Sequence, residues 1–150
     1  MNQKNTDLEK ELADLKQKQG TTVMFSAYVD QFRTYTPGQV VVFNHEVTNI
    51  GQHYNTSTGV FTCPVSGYYV FDVHIMGQVD KNAEVVIRHN GANLAWAFAD
   101  DKYDYQSGSL YVNIVLKTGD TVEVASYTTS FFNHGGGKFT TFSGHLINLL

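Results

Sequence analysis

From Val23 onward the apolar residues recur at every second position, and short Gly-containing turns interrupt them at close intervals. A period of two puts alternate side chains on opposite faces of an extended chain, so this pattern predicts strands and not helices. Val85 and Ile87 share one face, with Glu84 and Arg88 on the other. Leu110, Val112, Ile114 and Leu116 alternate with Ser109, Tyr111, Asn113 and Val115, and Val122 and Val124 alternate with Thr121 and Glu123. Pro37-Gly38, Thr58-Gly59, Ser66-Gly67, Asn90-Gly91, Ser107-Gly108 and Gly119-Asp120 punctuate the runs. Asn90-Gly91 is the strongest hairpin signal, because a type I′ turn requires positive φ at both central residues. About ten short strands at this spacing predict an all-β, antiparallel sandwich. Thirteen Gly, nine Tyr and ten Phe agree, since aromatics suit half-buried pleated surfaces and Gly suits tight turns.

The strand from Gly67 to Gly77 carries a second message. Its odd positions, Tyr69, Phe71, Val73 and Ile75, are apolar and are expected in the core. Its even positions, Tyr68, Val70, Asp72, His74 and Met76, are too apolar for open water. Cover by a neighbouring copy of the chain explains the mixture, which predicts an oligomer with Tyr68, Val70, His74 and Met76 in its interface.

Residues 1–20 follow another rule. Asn2 to Gln19 contains no Gly, Pro or aromatic residue, and charges of both signs alternate. Leu8, Leu12 and Leu15 are spaced four and then three, the d-a-d register of a coiled coil. Asn5 and Gln19 fall at a positions, and Glu9, Glu11, Lys16 and Lys18 at e and g positions. So short a helix is marginal alone. The segment reads either as a coiled coil held by partner chains through its three leucines or as a polar tail, ahead of a head spanning residues 21–150.

Charge and hydropathy exclude some classes of partner. A formal net charge of −4 argues against electrostatic binding to nucleic acid. No apolar run approaches the roughly 20 residues that cross a bilayer as a helix. Met1 opens a polar stretch and not a leader, so the chain reads as cytosolic or as the trimmed form of a secreted protein. One Cys leaves the compartment open, and the acceptor triplet Asn55-Thr56-Ser57 leans slightly towards secretion.

The spacing Phe43, Asn49, Tyr54, Phe61, Gly67, Tyr69, Phe71 resembles the signature of complement C1q globular heads. Val73 stands where that pattern has an aromatic, a mild departure at an inward position. Phe25-Ser26-Ala27 is similar to the family's opening strand, Ser107-Gly108-Ser109 with Gly119-Asp120 to its central hairpin region, and Phe142-Ser143-Gly144 with Leu146 to its closing strand. The resemblance covers about Val23 to Leu150. It implies a ten-stranded jelly roll shared with tumour necrosis factor-like ligands, a homotrimer, an extracellular location and a binding role. The heptad helix stands where most members have a collagen-like stalk. That arrangement resembles the soluble invertebrate proteins of this family, above all those of molluscs, which act in innate immunity as lectin-like pattern-recognition proteins. The resemblance therefore implies a secreted homotrimer that binds microbial surface carbohydrate or lipopolysaccharide. A cytokine-like ligand for a cell-surface receptor and a calcium-binding extracellular structural protein are the competing expectations.

Asp100, Asp101, Asp104 and Gln106 share one loop, and Ca²⁺ takes six to eight oxygen ligands of that kind. Some heads of the family hold calcium through this loop, so calcium is the expected cofactor; the alternative is a solvated acidic loop. Tyr103 and Tyr105 in the same loop, and Phe131, Phe132, Asn133 and His134 before a Gly-rich turn, are the expected ligand-binding residues, because rings stack on sugars while polar groups bond the hydroxyls. Trp96 shares a strand face with Leu94 and Phe98 and is expected in the core. None of the six His forms a ligand pair at structural-zinc spacing. His74 and His145 fall on outward positions, where they meet across an interface or hydrogen-bond there. Cys63 shares its parity with Phe61 and Val65 and is expected to be a small buried residue. Gly135-Gly136-Gly137-Lys138 lacks the spacing and setting of a phosphate loop. No carboxylate pair or Ser/His/Asp set stands out, and catalysis is not expected.

Overall fold

The computed structural model describes residues 2–30, 33–132 and 138–150. One helix, α1 (Gln3–Gln19), precedes twelve strands: β1 (Met24–Tyr28), β2 (Arg33–Tyr35), β3 (His45–Ile50), β4 (Tyr54–Asn55), β5 (Val60–Thr62), β6 (Gly67–Met76), β7 (Ala83–His89), β8 (Ala92–Ala99), β9 (Ser107–Leu116), β10 (Thr121–Ser126), β11 (Ser130–Phe132) and β12 (Thr141–Leu149). Ten strands form two antiparallel five-stranded sheets, ordered β3-β1-β12-β6-β9 and β4-β5-β10-β7-β8; β2 and β11 pair as a small ribbon. The expected jelly-roll sandwich is the observed fold. The Asn90-Gly91 turn joins β7 to β8 with φ of 48° and 82°, the double positive φ of a type I′ turn.

The core lies between the sheets, and its centre is aromatic. Phe25 stacks on Tyr54 (4.7 Å between centroids) and meets Phe142 edge-on at 4.9 Å; Phe61 and Phe71 close the cluster. These contacts explain the signature spacing in physical terms: Phe43, Tyr54, Phe61, Tyr69 and Phe71 are all buried in one cluster. Val73 is buried with them, so the departure from the pattern leaves the core filled. Asn49 is the polar member of the signature and braces the backbone. Its Nδ2 donates to the Tyr54 carbonyl (2.7 Å) and its Oδ1 accepts from the Tyr54 N–H (3.3 Å). The Tyr54 hydroxyl accepts from the Phe43 N–H and donates to the Phe43 carbonyl, and burial holds that phenol above the ordinary tyrosine range. Cys63 is buried as expected, and burial pushes its thiol up.

The strand β8 departs from expectation. Trp96 is expected in the core because it shares a strand face with Leu94 and Phe98, yet this face is turned outward and the alanines point in. The reason is the closeness of the sheets at this edge. A Cβ on Gly108 of β9 would lie 2.4 Å from the Phe98 carbonyl oxygen, so the two backbones are nearly in contact. Only Ala95, Ala97 and Ala99 fit inside, and the large rings go to the surface.

At one end of the sandwich Asp120 ties three segments together. It accepts from the Lys117 N–H and the Asn90 side-chain amide and holds His89 at 3.0 Å. The backbone donor, then Asn90 and His89, hold its carboxyl down at about 2, against 3.8 ordinarily. A depressed carboxylate stabilises the fold above its unfolded pKa and loses that contribution as pH falls through its folded one. Denaturant midpoints measured between pH 5 and pH 2 are therefore expected to fall more steeply for the natural protein than for Asp120→Asn below about pH 4. Parallel curves would count against this reading.

Candidate functional site

The outward side of the first sheet is built by register. Neighbouring strands bring Ile50, Met24, His145, Val70 and Asn113 into one row across the sheet. The next row holds Thr48, Ser26, Ser143, Asp72 and Tyr111. Tyr68 pairs with Val115 beyond the first row, and Ile147 flanks them. Met24, Ile50, Tyr68, Tyr111, Val115 and Ile147 are exposed large hydrophobic residues on this one face. A shallow hollow of about 330 Å³ at its centre is lined by Val70, Asp72, Tyr111, Ser143, His145 and Ile147.

The expected interface residues are distributed unevenly over this face. Tyr68 stands free, and Met76 and His74 are half-buried. Val70 is only 6% exposed, so neighbours within its own chain already cover it; it lines the hollow and offers little new area. His74 donates through Nδ1 to the Phe139 carbonyl at 2.6 Å. It sits opposite Thr141 and Ser109, whereas His145 sits opposite Val70, so the two histidines occupy different rows. The sequence reading overlooked Tyr111, Val115 and Ile147. Their period-two signal was present, but only the register with β6 shows that they continue its apolar outward face.

In α1, Leu8, Leu12 and Leu15 are all exposed, as a d-a-d stripe is when no partner helix covers it. The side chains of Lys18 and Gln19 lie outside the described residues.

The 100–106 loop joins β8 to β9 and is tied down at several points. The Asp101 carboxylate accepts from the Tyr103 N–H (2.8 Å) and the Asp104 N–H (3.1 Å), and the Asp104 carboxylate accepts from the Tyr105 N–H (2.7 Å). The Asp101 and Gln106 carbonyls accept from the N–H groups of Asp80 and Gly77. The two tyrosines project freely: Tyr103 is 84% exposed and Tyr105 is exposed beside it. Asp101 and Asp104 spend oxygens on their own backbone, and among the described residues no three His, Cys, Asp or Glu side chains gather as metal ligands. His45 instead pairs with Asp30, and His89 with Asp120.

The second group of expected ligand residues is corrected in one member. Phe132 is 0% exposed, with its ring 5.4 Å from Tyr35 and its backbone paired to Arg33. Its position in the β2–β11 ribbon turns it into the core, which its place before a Gly-rich turn concealed. The ring of Phe131, and Asn133 and His134 entirely, lie outside the described residues.

An aromatic-filled jelly roll of two five-stranded sheets has the fold of globular heads of the complement and tumour necrosis factor kind. The chain belongs to the C1q domain family, whose model matches residues 24–147. It is 30% identical over 128 residues to Caprin-2 of Danio rerio, a stretch that covers 83% of this chain and 14% of that protein. Among solved structures it is similar to the globular domain of zebrafish complement 1qA protein, with a TM-score of 0.72 at 19% identity, covering 87% of this chain and 100% of that one. It is also similar to Eiger TNF from S. frugiperda, with a TM-score of 0.67 at 11% identity, covering 86% and 93%. The corresponding values for murine APRIL at pH 5.0 are 0.65 and 12%, covering 85% and 100%. At these identities the solved structures speak for the fold. No helix among the described residues is long and apolar enough to cross a membrane.

Proposed function

We propose that the chain is a secreted, homotrimeric recognition protein of innate immunity that binds microbial surface carbohydrate or lipopolysaccharide without catalysing a reaction. The observation that carries this reading is the exposed apolar face of the first sheet, from Met24 through Tyr68 and Tyr111 to Ile147. Apolar area of that kind is stabilised by burial, at about 25 cal/mol per Å², and a second and third copy of the same chain supply the cover. The leucine stripe of α1 favours the same assembly.

Three copies of the 100–106 loop then act together. Tyr103 and Tyr105 are free to stack on the apolar faces of sugars, and Asp100 and Gln106 beside them are exposed for hydroxyl groups. Each contact is shallow, and a repeating surface turns three weak contacts into strong retention. Calcium enters this proposal only where copies of the loop from different chains contribute ligands together, since one chain does not gather them.

A glycan array run with and without calcium tests the reading. Binding is expected for the natural trimer, with at least a tenfold loss in the Tyr103→Ala, Tyr105→Ala double variant, because stacking contacts of about 1 kcal/mol multiply over three sites. Undiminished binding by that variant would remove the loop from the site. The likeness in fold to Eiger TNF favours one alternative, a trimer that engages a receptor. Recovery of receptor ectodomains in place of bacterial cells in a pull-down would decide for it.

A further inference from the structure

The outer face of the second sheet carries a feature that the trimeric reading does not use. Phe98, Glu84 and Tyr127 stand side by side on β8, on β7 and just beyond β10: Glu84 is the register partner of Phe98, and its carbonyl accepts from the Tyr127 N–H at 2.9 Å. One row further, Trp96 faces Val86, which faces Ala125. Trp96 leans across this row and meets Tyr127 at 5.9 Å with the ring planes at 90°. Val86 and Ala125 are buried beneath as an apolar floor. The three rings are 48%, 54% and 50% exposed for Trp96, Phe98 and Tyr127. The result is a patch of three half-exposed rings with Glu84 as the strand neighbour of Phe98.

The chemistry of the patch selects its ligand. Glu84 makes no ion pair among the described residues, and Arg88, the cation on the same face of β7, is bound to Glu123 at 2.7 Å. A carboxylate without an ion pair beside exposed rings attracts a cation, and a ring face attracts one placed within about 6 Å of its centroid. A primary ammonium has three donors to satisfy and loses strong hydration here for a single acceptor. A sugar needs several hydrogen-bonding side chains, and the buried Val86 and Ala125 supply none. A trimethylammonium group has no donors, is weakly hydrated and presents methyl groups to the rings. We propose that Trp96, Phe98, Tyr127 and Glu84 form a binding site for a trimethylammonium group of the choline type. This site is separate from the loop of the proposed function and stands if that loop fails.

Trp96 is the one tryptophan of the chain, so its fluorescence reports the site directly. Choline chloride titrated into the full-length protein is expected to change the emission saturably, while ammonium chloride at equal ionic strength leaves it unchanged. Saturation-transfer NMR on the choline methyl protons follows variants that lack the fluorophore. Glu84→Gln and Trp96→Leu are each expected to weaken binding about tenfold or more, and a thermal melt of each variant shows that the fold is kept. Co-sedimentation with phosphatidylcholine vesicles, competed by free choline, distinguishes a lipid headgroup from the soluble molecule; either source fits the site. A non-saturable response, an equal response to ammonium, or full affinity in both variants would overturn the proposal.

Discussion

Ile147→Asp is expected to convert the proposed trimer to monomer in analytical ultracentrifugation at micromolar concentration, while Ile147→Val leaves it intact. Ile147 lies on β12, exposed in the single chain, next to Tyr68 and Val115 and at the rim of the central hollow. In the proposed trimer this position is dry. A carboxylate placed there must shed its hydration, and the described residues lining the hollow include a second carboxylate, Asp72, and no Lys or Arg. An unpaired buried charge costs about 3–5 kcal/mol, which weakens each interface by a few hundred-fold or more. A cyclic trimer repeats the defect three times. The single head is expected to keep its fold, because Ile147 contributes nothing to the buried cluster. Trimers that persist in Ile147→Asp would move the interface off this sheet. Leu12→Asp in α1 provides the comparison: so short a helix adds little by itself, and its substitution is expected to loosen the trimer and leave it detectable.

Phe142→Ala is expected to lower thermal stability more than any other single side-chain truncation considered. Its ring is fully buried and touches four others: Phe25 at 4.9 Å, Phe43 at 5.4 Å, Tyr54 at 5.8 Å and Phe71 at 6.0 Å between centroids. These rings come from both sheets and from the chain between β2 and β3, and the cavity left behind cannot collapse without moving all of them. Truncations of this kind cost about 3–5 kcal/mol. For a domain of this size that lowers the midpoint by roughly 6–20 °C, measured by calorimetry or near-ultraviolet circular dichroism. Phe98→Ala is the informative partner. By hydrophobicity alone Phe98 is as strong a core candidate, yet its outward position predicts a change within about 0.5 kcal/mol. Equal losses for the two substitutions would contradict the outward placement of the β8 rings.

What the sequence alone determined is the part governed by local periodicity. Alternation by two set the inward residues of β6, β7 and β10. The Gly and Asn turns set the hairpins, and the aromatic spacing from Phe43 to Phe71 identified the family, because each of those residues fills a place in one cluster. Periodicity is a property of neighbours along the chain, so it survives without coordinates. It also exposed Tyr68 and Met76 as surplus apolar residues on an outward face, and so pointed to self-association. Tertiary structure decided the rest, because face and depth depend on what lies opposite. The large residues of β8 turn out, since the backbones of β8 and β9 approach too closely at Gly108 for anything but alanine between them. Phe132 turns in, since its strand pairs with β2 over Tyr35. The acidic residues of the 100–106 loop are legible by composition, while only its folded form shows Asp101 and Asp104 each bonding the loop's own N–H groups through Oδ1. The period of the chain says which residues share a face; only the distance to the opposing sheet says which face is the inside.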